Sequence, residues 1–219
     1  MAHSKGRGAL ATYGALAAVD LFATAKHPRG LARAAKPLLM PALTAYATKK
    51  GGGSRNAPLL AGLGCATVGD TALLFDDHET AFLTGMAAFL GTQVSYTAGM
   101  AAQLGAVRGV RRRPRRAAAC LAAWAVANAA LAPALDRRMR LPVAGYSLAL
   151  TAMGAAAFGV GGKVGAGAAA FLVSDLLIGL QAAGHELPSR ATHEVLVMAG
   201  YLAGQYLIAT GWLERTAPA

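Results

Sequence analysis

Residues 57–75 read APLLAGLGCATVGDTALLF, nineteen residues whose one charged side chain is Asp70. As a helix the stretch rises about 28 Å at 1.5 Å per residue, close to the roughly 30 Å hydrocarbon core of a bilayer. It predicts a membrane span with a carboxylate inside it. On either side, breaks by glycine, proline and charge leave seven further stretches, at 9–25, 36–49, 80–103, 117–134, 141–160, 164–183 and 193–213. The second is short if counted from Lys36; it lengthens if it begins nearer Leu31, with Arg33 and Lys36 reaching toward the interface on their long stems. Pro37 then sits near its start and Pro41 predicts a kink.

Composition agrees. The chain is 55% hydrophobic and 14% charged, against about a quarter charged in a soluble domain, and its mean hydropathy is +0.43. The expectation is an all-α membrane protein, one polytopic domain over residues 1–219 made of a single bundle of about eight transmembrane helices. The opening, Lys5 and Arg7 before an apolar run from Ala9, is similar to a signal peptide, with Ala-Thr-Ala at 23–25. Asp20 interrupts the run and many apolar stretches follow, so it reads as the first span. Gly200-x-x-x-Gly204 and Gly161-x-x-x-Gly165 provide small surfaces for close helix approach.

The net charge of +11 would suggest nucleic acid in a soluble protein. Here the basic residues cluster between apolar stretches without a nucleic-acid reading module, which is the positive-inside pattern, so no nucleic-acid partner is expected. With eight spans, one side gathers the N-terminus, 49–56, 104–116, 161–163 and the C-terminus, with 13 Lys and Arg; the other gathers 26–36, 76–79, 135–140 and 184–192, with 8. The excess, with the Arg108–Arg116 cluster, predicts both termini in the cytoplasm and a place in the cell membrane. Cys65 and Cys120 lie in apolar stretches without C-x-x-C spacing and read as buried small hydrophobes.

Asp20, Asp70 and Asp175 lie inside apolar runs. A carboxylate at a span centre costs about 2.5–3.5 kcal/mol on insertion scales, so such residues turn toward the bundle interior or a wet cavity and mark function. The bland alternative is an end-of-span residue or an inert interhelical hydrogen bond, weightiest for Asp20. Each aspartate falls in the later half of an outward-running span, and Lys36 opens the second span on the same side, which predicts similar depths for all four. Two carboxyls in unlike surroundings can serve as acid and base. Gln93 with Tyr96 (i,i+3) and Tyr201 with Gln205 (i,i+4) each share a helical face too deep for an aromatic belt. Ser174 points about 100° away from Asp175 on a helix and is the weaker candidate.

His27, His78, His185 and His193 fall on outward-facing connections. None is followed by a second histidine at the spacing of a helical zinc motif, so no metal is expected. Gly145-Tyr146-Ser147-Leu148-Ala149 lacks the last glycine of a nucleophile elbow and lies in an apolar helix, which argues against serine hydrolysis.

Five motifs stand in order along the chain: Lys36-Pro37-Leu38-Leu39-Met40-Pro41, Gly69-Asp70-x-x-Leu73-Leu74, Phe89-Leu90-x-x-Gln93-x-x-Tyr96, Gly167-Ala168-x-x-Phe171-x-x-Ser174-Asp175 and Tyr201-x-x-Gly204-Gln205-x-Leu207-Ile208. Together they resemble the lysoplasmalogenase-like family of membrane proteins, the YhhN group, over roughly residues 31 to 211. The resemblance implies an eight-helix enzyme that hydrolyses the vinyl ether bond of lysoplasmalogens, releasing a fatty aldehyde and glycerophospho-ethanolamine or -choline. Its partner would be a lysophospholipid taken from the bilayer, and no cofactor is implied. Asp70 and Asp175 occupy the family's acidic positions and are implied as catalytic. Lys36, Tyr96, Tyr201 and Gln205 occupy its other polar positions; with Gln93, Ser174 and Asp20 they make the candidate substrate-binding set. Gln93 stands where the family often has histidine, and since glutamine does not shuttle protons its expected role is positioning. The competing expectations are a hydrolase of another ether or ester lysolipid on the same scaffold and a non-enzymatic lipid or proton-coupled transporter.

Overall fold

The structure, a computed structural model, describes residues 6–26, 29–51, 56–75, 77–185 and 189–217, with only the helical backbone at 29–33. Among these residues the regular structure is helical throughout: α1 (Arg7–Lys26), α2 (Arg29–Gly51), α3 (Ala57–Ala72) with a 3-10 turn over Leu73–Phe75, α4 (Glu79–Gln103), α5 (Ala106–Arg112), α6 (Pro114–Leu131), α7 (Arg137–Val160), α8 (Gly162–Ala182) and α9 (Arg190–Thr216). Eight long helices fall on the eight apolar stretches. Five of them, α1, α3 with its 3-10 turn, α7, α8 and α9, are long and apolar enough to cross a membrane. The other three fall short of that measure. α2 includes Lys36 and two prolines, α4 carries Thr92, Gln93 and Tyr96, and α6 begins with Arg115 and Arg116 close behind Pro114.

Several boundaries differ from the sequence reading, most at α2, at the 104–116 connection and at the start of α7, which begins at Arg137. α2 starts at Arg29, so both Pro37 and Pro41 lie inside the helix. The basic connection at 104–116 contains a helix of its own, α5, and α6 follows at once from Pro114. Gly105, at φ 73°, takes the left-handed conformation that separates α4 from α5. Pro114 fits the first turn of α6, where its missing N–H has no partner to lose. Asp136 caps α7 by accepting the Arg138 N–H at 3.0 Å.

The chain forms two compact units, one of residues 1–99 with 209–219 and one of residues 100–208. In the first, α1 packs on α2 and α2 on α3. α3 and α4 meet through glycines set against larger side chains. A Cβ on Gly62 would run into the Tyr96 ring, one on Gly69 would come 2.7 Å from Phe89, and one on Gly85 would come 2.8 Å from Leu73. Thr92 Oγ1 donates to the Gly62 carbonyl at 3.0 Å. The last turns of α9 close this unit, with the Trp212 ring against Gly99 and tilted toward Tyr96 at 6.3 Å. Lipid supplies no hydrophobic drive for helix association, so such close fits carry the packing.

In the second unit α8 and α9 cross backbone to backbone. A Cβ on Gly167 would lie 2.8 Å from the Gly204 carbonyl, and one on Gly200 would lie 3.1 Å from that of Ala170. The Gly200–Gly204 pair therefore does what its spacing suggested. Gly161 serves differently: at φ 77° it turns the chain from α7 into α8, with open space around it. α5 and α6 both pack on α7. Large exposed side chains such as Phe22, Val94, Val126, Leu141 and Val173 are apolar, as a lipid-facing surface requires.

Candidate functional site

α1 buries a polar face. Its buried side chains are Tyr13, Asp20 and Ala23, and Tyr13 and Asp20 are seven residues apart, two turns along one face. Asp20 is fully buried, and neither of its carboxylate oxygens has a hydrogen-bond partner among the described residues. Lys36, half-buried on α2, lies within electrostatic reach of it. Tyr13 lies within reach of both Asp70 and Asp20, and Tyr96 within reach of Tyr13, Asp70 and Cys65. Asp70 is buried on the last turn of α3. Gln93, one turn before Tyr96 on α4, is fully buried, and its amide oxygen and nitrogen are also without hydrogen-bond partners among the described residues.

The first unit thus brings together Asp20, Lys36, Asp70 and Tyr96 of the expected set, with Tyr13 added. Leaving a buried donor or acceptor unpaired costs about 1–3 kcal/mol. Buried polar atoms left without a partner call for a physical explanation, and a functional role is one that fits the gathering of polar groups around Asp20. Tyr13 was absent from the sequence reading; its i,i+7 spacing to Asp20 is the one sequence feature that links the two.

The second unit holds Asp175, half-buried on α8, whose Oδ2 accepts the hydroxyl proton of Tyr146 on α7 at 2.7 Å. Tyr146 was also missed, because the Gly145–Ala149 segment was weighed only as a nucleophile motif. Ser147 beside it is engaged in packing: its Oγ accepts from Trp124 Nε1 and from Asn128 Nδ2, each at 3.1 Å, tying α6 to α7. Ser174 is buried and turned away from Asp175, as its helical position predicts; its hydroxyl donates to the Val197 carbonyl at 2.8 Å. Tyr201 is buried edge-on against Phe171, 5.5 Å between ring centres, and Gln205 one turn later is fully buried.

The histidines divide. His27 lies outside the described residues. His78 and His185 are exposed. His193 corrects the expectation of a connecting segment: it lies in the first turn of α9, fully buried, with Nε2 3.0 Å from the Leu177 carbonyl. The partner is a helix carbonyl brought close by the approach of α9 to α8, which spacing along the sequence does not reveal. Cys65 and Cys120 are free thiols and half-buried rather than fully enclosed.

A family model described as the YhhN family matches residues 31–212. The match takes in Lys36, Asp70, Gln93, Tyr96, Tyr146, Asp175, Tyr201 and Gln205, and leaves α1, with Tyr13 and Asp20, outside it. No curated protein and no solved structure matches the chain.

Proposed function

The chain belongs to the YhhN family, and from that premise we propose that it is a membrane hydrolase cleaving the vinyl ether bond of lysoplasmalogens. Support comes above all from one observation: the Asp20 carboxylate and the Gln93 amide are fully buried with no hydrogen bond among the described residues, on helices of a chain with several helices apolar enough to cross a bilayer. The reaction needs acid chemistry in a site that a lipid can enter. A proton adds to the outer alkene carbon of the vinyl ether and leaves an oxocarbenium ion. Water adds to that cation and loses a proton, and the hemiacetal collapses to a fatty aldehyde and the free hydroxyl of the glycerophospho-ethanolamine or -choline. The sum is one water consumed per ether cleaved. A carboxyl group can donate the proton and a carboxylate can stabilise the cation, the division of labour that paired carboxyls perform in glycoside hydrolysis.

In this reading Asp70 and Asp175 supply the carboxyl chemistry. Lys36 balances the charge of Asp20 or meets the lipid phosphate. Gln93, Tyr96, Tyr201 and Gln205 orient the substrate, and both termini lie in the cytoplasm. Tyr146 orients Asp175 through its hydroxyl. Tyr146→Phe is expected to lower turnover about 10- to 100-fold, the worth of one hydrogen bond to a charged group. Turnover equal to wild type would remove Tyr146 from the mechanism.

The deciding measurement is aldehyde release from a defined lysoplasmalogen by the purified full chain in detergent, where no proton gradient exists. Release of aldehyde is the expected result. Hydrolysis of an acyl lysophospholipid without any vinyl ether cleavage would move the chain to a different lipid substrate. Flux of substrate across vesicles that follows a proton gradient, with no hydrolysis, would make it a transporter.

A further inference from the structure

The second unit carries an open cavity of about 580 Å³ lined by Ala101, Gly105, Val107, Arg108, Arg111 and Arg112. We propose that this cavity binds the phosphate headgroup of an anionic phospholipid. α5 reads AVRGVRR, and its two faces do different things. One face is seated on α7: Ala106 is buried, a Cβ on Gly109 would overlap the Gly159 backbone, and one on Gly159 would lie 2.6 Å from the Ala106 carbonyl. Backbone contact this close holds the short helix in place. The other face carries Arg108, Arg111 and Arg112 at i, i+3 and i+4, so all three guanidinium groups converge on the cavity from a fixed platform.

Nothing nearby along the chain neutralises them. No aspartate or glutamate occurs between Glu79 and Asp136, while Arg113, Arg115 and Arg116 add three more cations directly after α5. Among the described residues none of these six arginines makes a side-chain hydrogen bond or ion pair. A solvated basic loop would spread its charges; here three forks face one space. Guanidinium forks match the two oxygens of a phosphate and favour it over a point anion. The cavity wall is also apolar in part, since Ala101 and Val107 line it and Val107 is 47% exposed. Further along α6, outside the cavity, Leu121 and Val126 are 52% and 69% exposed. A headgroup on the arginines with acyl chains along such side chains satisfies both features, as basic pockets at a membrane surface do for anionic lipids. A free phosphate satisfies only the first.

The test does not depend on hydrolase activity. The full-length chain in detergent is incubated with phosphatidylglycerol, phosphatidylcholine or inorganic phosphate, and retained ligand is counted by native mass spectrometry. Wild-type protein is expected to retain phosphatidylglycerol about tenfold or more over phosphatidylcholine, and the Arg108→Gln/Arg111→Gln/Arg112→Gln variant to lose that preference. An Arg137→Gln/Arg138→Gln/Arg140→Gln variant, with equal loss of charge at another exposed turn, is expected to keep it. Each single α5 substitution is expected to reduce retention about two- to threefold, which keeps the test open if the triple variant does not fold. Equal retention of both lipids, or a triple variant that still selects phosphatidylglycerol, overturns the proposal. Displacement of the lipid by millimolar inorganic phosphate overturns it in favour of a soluble anion.

Discussion

Asp70→Asn is expected to lower aldehyde release from a lysoplasmalogen about 10²- to 10⁴-fold, the range spanned by loss of a general acid or base. The exchange keeps the size and most of the hydrogen bonding of a side chain that is 6% exposed, yet removes the proton the reaction needs. Stability should therefore change little, and an unfolding midpoint within a few degrees of wild type in the same detergent would show that lost turnover is chemical. Asp175→Asn is expected to fall in the same range. Asp20→Asn separates two meanings of a buried carboxylate. If Asp20 is only tolerated in its helix, the neutral amide relieves a desolvated charge and stability rises at constant turnover. If it acts through Tyr13 and Lys36, turnover falls with Asp70. Full activity in both Asp70→Asn and Asp175→Asn would sink the acid/base assignment.

The second large effect is on stability. Gly62→Ala is expected to destabilise the chain by about 1–3 kcal/mol, the cost of overpacking a filled site. Its new methyl group would enter the Tyr96 ring, which is itself fully buried and shares its helix face with Gln93. Gly64→Ala, two residues along the same helix, meets nothing within 4 Å. It is expected to be neutral or to stabilise by up to about 1 kcal/mol, since alanine favours a helix over glycine. Thermal unfolding of the two variants side by side checks the pair. Equal midpoints would mean that α3 and α4 do not meet at Gly62. Because Gly62 sets where the Tyr96 ring lies, the same substitution is expected to weaken turnover as well.

Much of the fold was legible without coordinates. The eight long helices coincide with eight apolar stretches, because length and apolarity are properties of consecutive residues. From the sequence α2 can begin at Lys36 or nearer Leu31; the helix begins at Arg29, in line with the longer reading, because long cationic stems and a helical backbone coexist near an interface. α5 was read as a loop: seven residues with three arginines carry little helical signal of their own, and it is the fit of Gly109 on Gly159 that holds them. Among the site residues, those charged or amide-bearing in an apolar run stood out at once. Tyr13 and Tyr146 did not, since a tyrosine is at home in any membrane helix and gains a role only from what its hydroxyl meets.

Residue order alone establishes that the chain is helical, which stretches are apolar, and that Asp20, Asp70, Asp175 and Gln93 are out of place among them. These follow from transfer energetics, which depend on each residue and its near neighbours along the chain. Tertiary structure alone decided the partners. Asp175 receives the Tyr146 hydroxyl, the Ser174 hydroxyl goes to Val197, and His193 goes to Leu177, while Asp20 and Gln93 are buried with no hydrogen bond made among the described residues. Those outcomes depend on where helices cross, and the crossings are set by a few glycines whose missing side chains let one backbone approach another to within contact.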